Sequence, residues 1–255
     1  MMKQCILLLI LVLFSMNLYS FELTQLIDCP TAGIRQKGKV DFPIAMYKDG
    51  GVLIGTHIGL IRRLMLGVNY GGEKIIGDEE PDWHPRVDFN IKYRLFDESP
   101  KLPALAFGFN SQGYGRFDKV NDRYELKSKG FYAVISKNFN ILGDLGIHLG
   151  TNYSLEKTDD EDLNFFVGMD KAINEQISIY AEYDFALNDN KKITEAVPDS
   201  TNANRLGKGD GYFNAGVNIN IAENLILTLL IRDILGNDDS KTIDKSLMIK
   251  YIMAF

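Results

Sequence analysis

Stretches of about ten residues in which apolar and polar side chains alternate strictly recur about twelve times along the chain, and this period of two leaves few folds open. Val87, Phe89, Ile91, Tyr93 and Leu95 alternate with Asp88, Asn90, Lys92 and Arg94. Ile177, Ile179, Ala181, Tyr183 and Phe185 alternate with Ser178, Tyr180, Glu182 and Asp184. Successive strand residues point to opposite faces, so each stretch has one apolar and one polar face. The spacing predicts strands near 38–48, 51–60, 64–72, 86–96, 102–113, 129–139, 144–154, 163–171, 176–186, 211–222, 224–234 and 245–255. Most are long enough to cross a bilayer at a barrel tilt. An even number returns both chain ends to one side, as a closed antiparallel barrel requires.

The connections alternate in length. Leu60–Arg63, Asp97–Pro100, Asn140–Gly143, Asn174-Glu175 and Ala222–Asn224 are short, whereas 73–85, 114–128, 155–162, 187–210 and 235–244 are longer. Short periplasmic turns and longer extracellular loops are the habit of outer-membrane barrels. Beyond the first twenty residues the chain offers no apolar run of transmembrane-helix length. The expected fold is therefore all-β: a closed antiparallel transmembrane β-barrel of about 12 strands in the cell outer membrane. Its lipid-facing partners are outer-membrane lipid and lipopolysaccharide.

Both chain ends fit this reading. MMKQCILLLILVLFSMNLYS has one lysine, an apolar run and then small and polar residues, the pattern of a cleaved signal peptide over 1–20. Residues 21–37 are expected to form an N-terminal periplasmic segment, either hanging below the barrel or plugging it, and 38–255 the barrel. Cys5 lies in the leader, which leaves Cys29 alone, and Asp28 stands where a lipoprotein signal wants a small residue, so an unmodified thiol is expected. At the other end, Tyr251, Met253 and Phe255 share one apolar face. They resemble the terminal strand by which the barrel assembly machinery recognises its clients. Aromatics on the apolar phase cluster at both strand ends: Tyr70, Phe131, Tyr153, Phe165, Phe185 and Phe213 outside, Phe42, Tyr93, Tyr251 and Phe255 inside. That is the placement of two interfacial girdles.

A narrower resemblance rests on glycine-rich stretches in the first half. They are Pro30–Gly33, Gly50–Gly55, Leu66–Gly72, Ile76–Trp83 and Ala106–Gly115. These are similar to YjbH-type outer-membrane proteins associated with exopolysaccharide export, whose members are much longer. The resemblance implies polysaccharide-export proteins as partners.

The polar phase supplies the candidate lumen residues: Asp41, His57, Asp88, Lys92, Arg94, His148, Glu182, Asp184, Arg232 and Lys250. Twelve strands enclose a space between the filled interior of eight and the water channel of sixteen. Mixed charge suggests ion pairs across it. Inward glycines, among them Gly55, Gly59, Gly67, Gly108, Gly146, Gly150 and Gly216, either permit close packing or preserve space. The long loops are acidic rims without the spaced ligand-and-glycine pattern of a calcium loop, so no metal or cofactor is expected. Asp82, Trp83 and His84 lie between Pro81 and Pro85, which stiffen the loop and present the only tryptophan. Packing against the barrel rim is the expected use, with sugar stacking as the alternative.

A net charge of −6 and a pI near 5.2 argue against nucleic acid. Three histidines are present, and neither His57 nor His148 has a serine beside it in sequence, so no nucleophile–base pair and no enzyme is expected. The expected function is a narrow pore, or a structural or accessory barrel linked to export of a cell-surface polysaccharide. The alternative is an adhesin-like surface protein acting through loops 73–85, 114–128 and 187–210. Deleting Phe255 is expected to cut the amount of heat-modifiable barrel recovered from outer membranes several-fold, and unimpaired assembly would remove the terminal strand's role as a recognition signal.

Overall fold

The structure, a computed structural model, describes residues 22–119, 121–141, 143–156, 160, 162–190, 209–237 and 243–255. The leader 1–20 and most of loop 187–210 fall outside them. Strands appear at β1 (Lys39–Tyr47), β2 (Gly51–Ile61), β3 (Leu64–Glu73), β4 (Asp82–Trp83), β5 (Asp88–Phe96), β6 (Ala104–Asn110), β7 (Tyr114–Asp118), β8 (Arg123–Leu126), β9 (Gly130–Asn140), β10 (Asp144–Tyr153), β11 (Asn164–Ala172), β12 (Ile177–Asp184), β13 (Tyr212–Ala222), β14 (Leu225–Arg232) and β15 (Asp244–Ala254). All but β4, β7 and β8 form one antiparallel barrel of twelve strands, each paired to its neighbours in sequence order. The seam closes between β1 and β15, from Lys39 opposite Ala254 to Met46 opposite Leu247. Closure matters because a sheet edge at membrane depth leaves backbone groups with neither water nor a partner.

The alternation becomes two faces. In β14, Ile226, Thr228, Leu230 and Arg232 are buried toward the lumen, while Leu229 and Ile231 are 45% and 40% exposed on the outside. Ile91, Phe107, Leu149, Phe165 and Ile179 join them in an outward apolar belt that runs round the barrel. An apolar surface so continuous is a lipid-contact surface. Tyr70, Phe131, Tyr153 and Phe185 ring its outer rim, and Phe42, Tyr93, Tyr251 and Phe255 its inner one, all exposed. The protein is an outer-membrane β-barrel.

The twelve spans lie within a few residues of those the periodicity predicts. Two features were not legible that way. Loop 114–128 contains a hairpin of its own, β7–β8, and β4 pairs with the end of β3. The sequence leaves open whether the N-terminal segment hangs in the periplasm or plugs the barrel; over its described residues it lies inside the barrel. A mid-belt charge tests the lipid face: Leu149→Arg is expected to destabilise the vesicle-embedded barrel by about 2–4 kcal/mol in reversible denaturant unfolding, and an unshifted midpoint would place Leu149 away from lipid.

Candidate functional site

Residues 22–36 enter from the periplasmic end, turn at Ile27-Asp28 and return to it. Leu26 N–H donates to the Cys29 carbonyl at 3.0 Å and Thr31 N–H to that of Thr24 at 3.3 Å, with a bridge between Gln25 and Pro30. So short a hairpin cannot satisfy its own backbone, and the lumen wall completes it. Glu182 of β12 accepts the N–H groups of Ile27 at 3.0 Å, Asp28 at 2.8 Å and Cys29 at 2.9 Å, and Asn214 Nδ2 at 2.8 Å. Arg232 Nε donates to the Asp28 carboxylate at 3.0 Å, and its Nη1 reaches Ser246 Oγ at 2.7 Å. Lys92 Nζ donates to the carbonyls of Thr31 at 3.0 Å and Gly33 at 3.1 Å, and also to that of Thr24. Arg94 Nε donates to the Ala32 carbonyl at 3.0 Å while its guanidinium pairs with Glu22. Arg35 pairs with Asp41, which also holds His57 Nδ1 at 2.8 Å. Hydrogen bonds to charged groups contribute about 1.5–3 kcal/mol each, so this set makes the hairpin an integral plug. Glycine also makes room for it: a Cβ at Gly59 would stand 2.0 Å from the Gln36 carbonyl oxygen, and one at Gly168 2.1 Å from Leu26 Cδ1. At Gly59 the choice between close packing and spare space resolves to close packing.

The outer mouth is crossed by the β7–β8 hairpin. Tyr124, fully buried, donates its hydroxyl to Asp88 and packs edge-on against His84, ring centroids 5.1 Å apart. Its backbone N–H donates to Glu156 at 3.1 Å, and that of Ser128 at 3.0 Å. Burial pushes the Glu156 carboxyl above the usual carboxylate range. Tyr114 meets Ser246 Oγ at 2.8 Å on the opposite wall, under the Arg232 guanidinium 3.7 Å from its ring centre. Arg123 pairs with Asp189 at 2.7 Å, and Lys48 with Glu125 at 2.7 Å. Lys129 pairs with Asp184 on the wall below.

Of the loop candidates, His84 points inward, its Nε2 3.2 Å from Glu73. Trp83 stacks outside on Tyr70, centroids 5.8 Å apart and 2° from parallel, at girdle level. Asp82 pairs with Lys119 at 2.7 Å on the surface. The sequence placed no serine near His148, yet the register sets Ser136 directly opposite it. Ser136 Oγ lies 2.7 Å from His148 Nδ1, and His148 Nε2 lies 2.8 Å from Asp170. The same Oγ accepts the Ala32 N–H at 2.8 Å, so this Ser–His–Asp chain is spent on holding the plug and its serine is covered. Sequence proximity could not reveal it, because the partners meet across strands.

No protein-family model and no curated protein matches the chain. Among solved structures it is similar to a barrel described as the KdgM porin, at 8% identity and a TM-score of 0.50 over 84% of this chain and 98% of that one. The outer-membrane protein Omp33 of Acinetobacter baumannii gives 10% identity and a TM-score of 0.45 over 85% and 97%. At such identity the KdgM likeness is one of fold.

Cys29, a free and fully buried thiol on the plug, reports its seating. Removing one side of a buried charge arrangement costs about 3–5 kcal/mol. Glu182→Gln is therefore expected to speed maleimide labelling of Cys29 in the assembled barrel by about a hundredfold or more, and an unaltered rate would show that Glu182 does not hold the hairpin.

Proposed function

We propose that the protein is a narrow outer-membrane channel kept shut by its own N-terminal hairpin. The observation that carries this reading is the mode of anchoring. Glu182, Lys92, Arg94 and Arg232 lie on the inner wall and spend their charge on one removable segment, not on one another. Were the hairpin to leave, the same groups would line a polar lumen and hydrate, which a purely structural core has no reason to provide. The fold shared with a porin barrel supports the reading. The link to a cell-surface polysaccharide is part of the proposal too, and its support is the glycine-rich resemblance in the first half.

The test is planar-bilayer recording of the intact barrel and of a variant lacking 22–36. The intact protein is expected to be nearly silent, and the truncated one to give steady, salt-proportional steps whose ion selectivity shifts with Arg232→Glu. A correctly folded truncated barrel that stays silent would sink the channel reading.

A further inference from the structure

The lumen wall carries an apolar patch among its polar groups. The hairpin's backbone is held by Lys92 and Arg94 of β5, Ser136 of β9 and Glu182 of β12, while the strands beside the seam meet it at its base, through Asp41 on Arg35 and Gly59 against Gln36. There the inward rows run across β15, β1 and β2. Ser246 and Tyr47 lie nearest the outside, and Met248, Ala45 and Leu53 form the next row. Lys250, Pro43 and Gly55 follow, and Asp41 with His57 lies at the periplasmic end. Met248, Ala45, Leu53 and Pro43 thus form an apolar patch inside the barrel, and together with the hairpin they line a cavity of about 160 Å³.

Lys250 stands at the edge of that patch and lines the same cavity. Among the described residues, no hydrogen bond or ion pair holds its ammonium. The lumen's other charged groups differ: Arg232 has Asp28, Lys129 has Asp184, Lys92 has three carbonyls, and Asp41 has both Arg35 and His57. Below the patch, the Asp41 carboxylate that faces Lys250 is already held by Arg35 and His57, and the carboxylates that line the cavity, Asp28, Asp184 and Asp189, are held by Arg232, Lys129 and Arg123, so the field at Lys250 favours an anion. Lys250 is half-buried in the lumen, and a charge held there without a hydrogen-bonded partner favours taking one.

We propose that this cavity is a binding site for a small organic monocarboxylate with a flat apolar body, of about one aromatic ring. The ring lies on Pro43, Ala45, Leu53 and Met248, and the carboxylate takes the Lys250 ammonium. Size agrees, since an apolar cavity of about 150 Å³ accommodates benzene. The inference goes beyond the channel reading and does not depend on it, because binding to the closed barrel requires no conduction.

The probe is benzoate, titrated by calorimetry into the intact, heat-modifiable barrel in detergent. Benzyl alcohol serves as the ligand without the charge and acetate as the charge without the ring. Benzoate is expected to bind more tightly than either. Lys250→Met should weaken benzoate about tenfold while leaving benzyl alcohol unchanged. Ala45→Leu, which fills the patch and keeps the charge, should weaken both ring compounds. No benzoate binding, acetate binding as tightly, or equal benzoate affinity in Lys250→Met would each overturn the proposal. Benzoate bound by a barrel that stays silent without its hairpin would overturn the channel reading alone.

Discussion

A carboxylate that is 1% exposed inside a membrane barrel must find its compensation from protein, and Glu182 finds it in three consecutive backbone N–H groups of a segment more than 150 residues earlier in the chain. The need runs both ways. A short hairpin in a lumen leaves amides and carbonyls without partners, and the wall leaves charges without partners. Each satisfies the other. Lys92 does for the hairpin's carbonyls what Glu182 does for its amides. The glycines at 59 and 168, the Ser136–His148–Asp170 chain and the Arg232–Asp28 pair then read as parts of one arrangement.

The β7–β8 hairpin solves the same problem at the other mouth with different chemistry. It brings aromatic rings and buries them: Phe117 against Tyr124, Tyr114 beneath Arg232, Tyr124 against His84. Its links reach Asp189, Lys48 and Ser246, which belong to separate parts of the rim. A loop so tied restrains the mouth as a whole, whereas the plug's backbone is tied to β5, β9 and β12 and leaves a cavity beside the seam.

The barrel was legible because membrane crossing imposes a period of two on every strand, and a run such as Phe213 to Ile221 repeats it without a break. The inward side of Lys92, Glu182 or Arg232 followed from the same phase. What each touches did not, because strand periodicity carries no information about a segment that is not a strand. Residues 22–36 lack periodicity, and their partners lie at separations from 6 residues, for Arg35 and Asp41, to 204, for Asp28 and Arg232. Ser136 and His148 needed the register of β9 and β10, which neighbouring residues in sequence do not reveal. The apolar patch in the lumen likewise emerges only when Met248, Ala45 and Leu53 are placed in a row across the seam.

Both arms of the plug run to the periplasmic end, and its second arm continues through Lys37 and Gly38 directly into β1. A hairpin drawn out of the lumen therefore stays on a short leash, with its docking site within reach of the same molecule. Short flexible tethers hold their ligand at effective concentrations on the order of millimolar. Return is then a first-order event, indifferent to how much protein the membrane holds, and the dwell time outside is set by the chain itself.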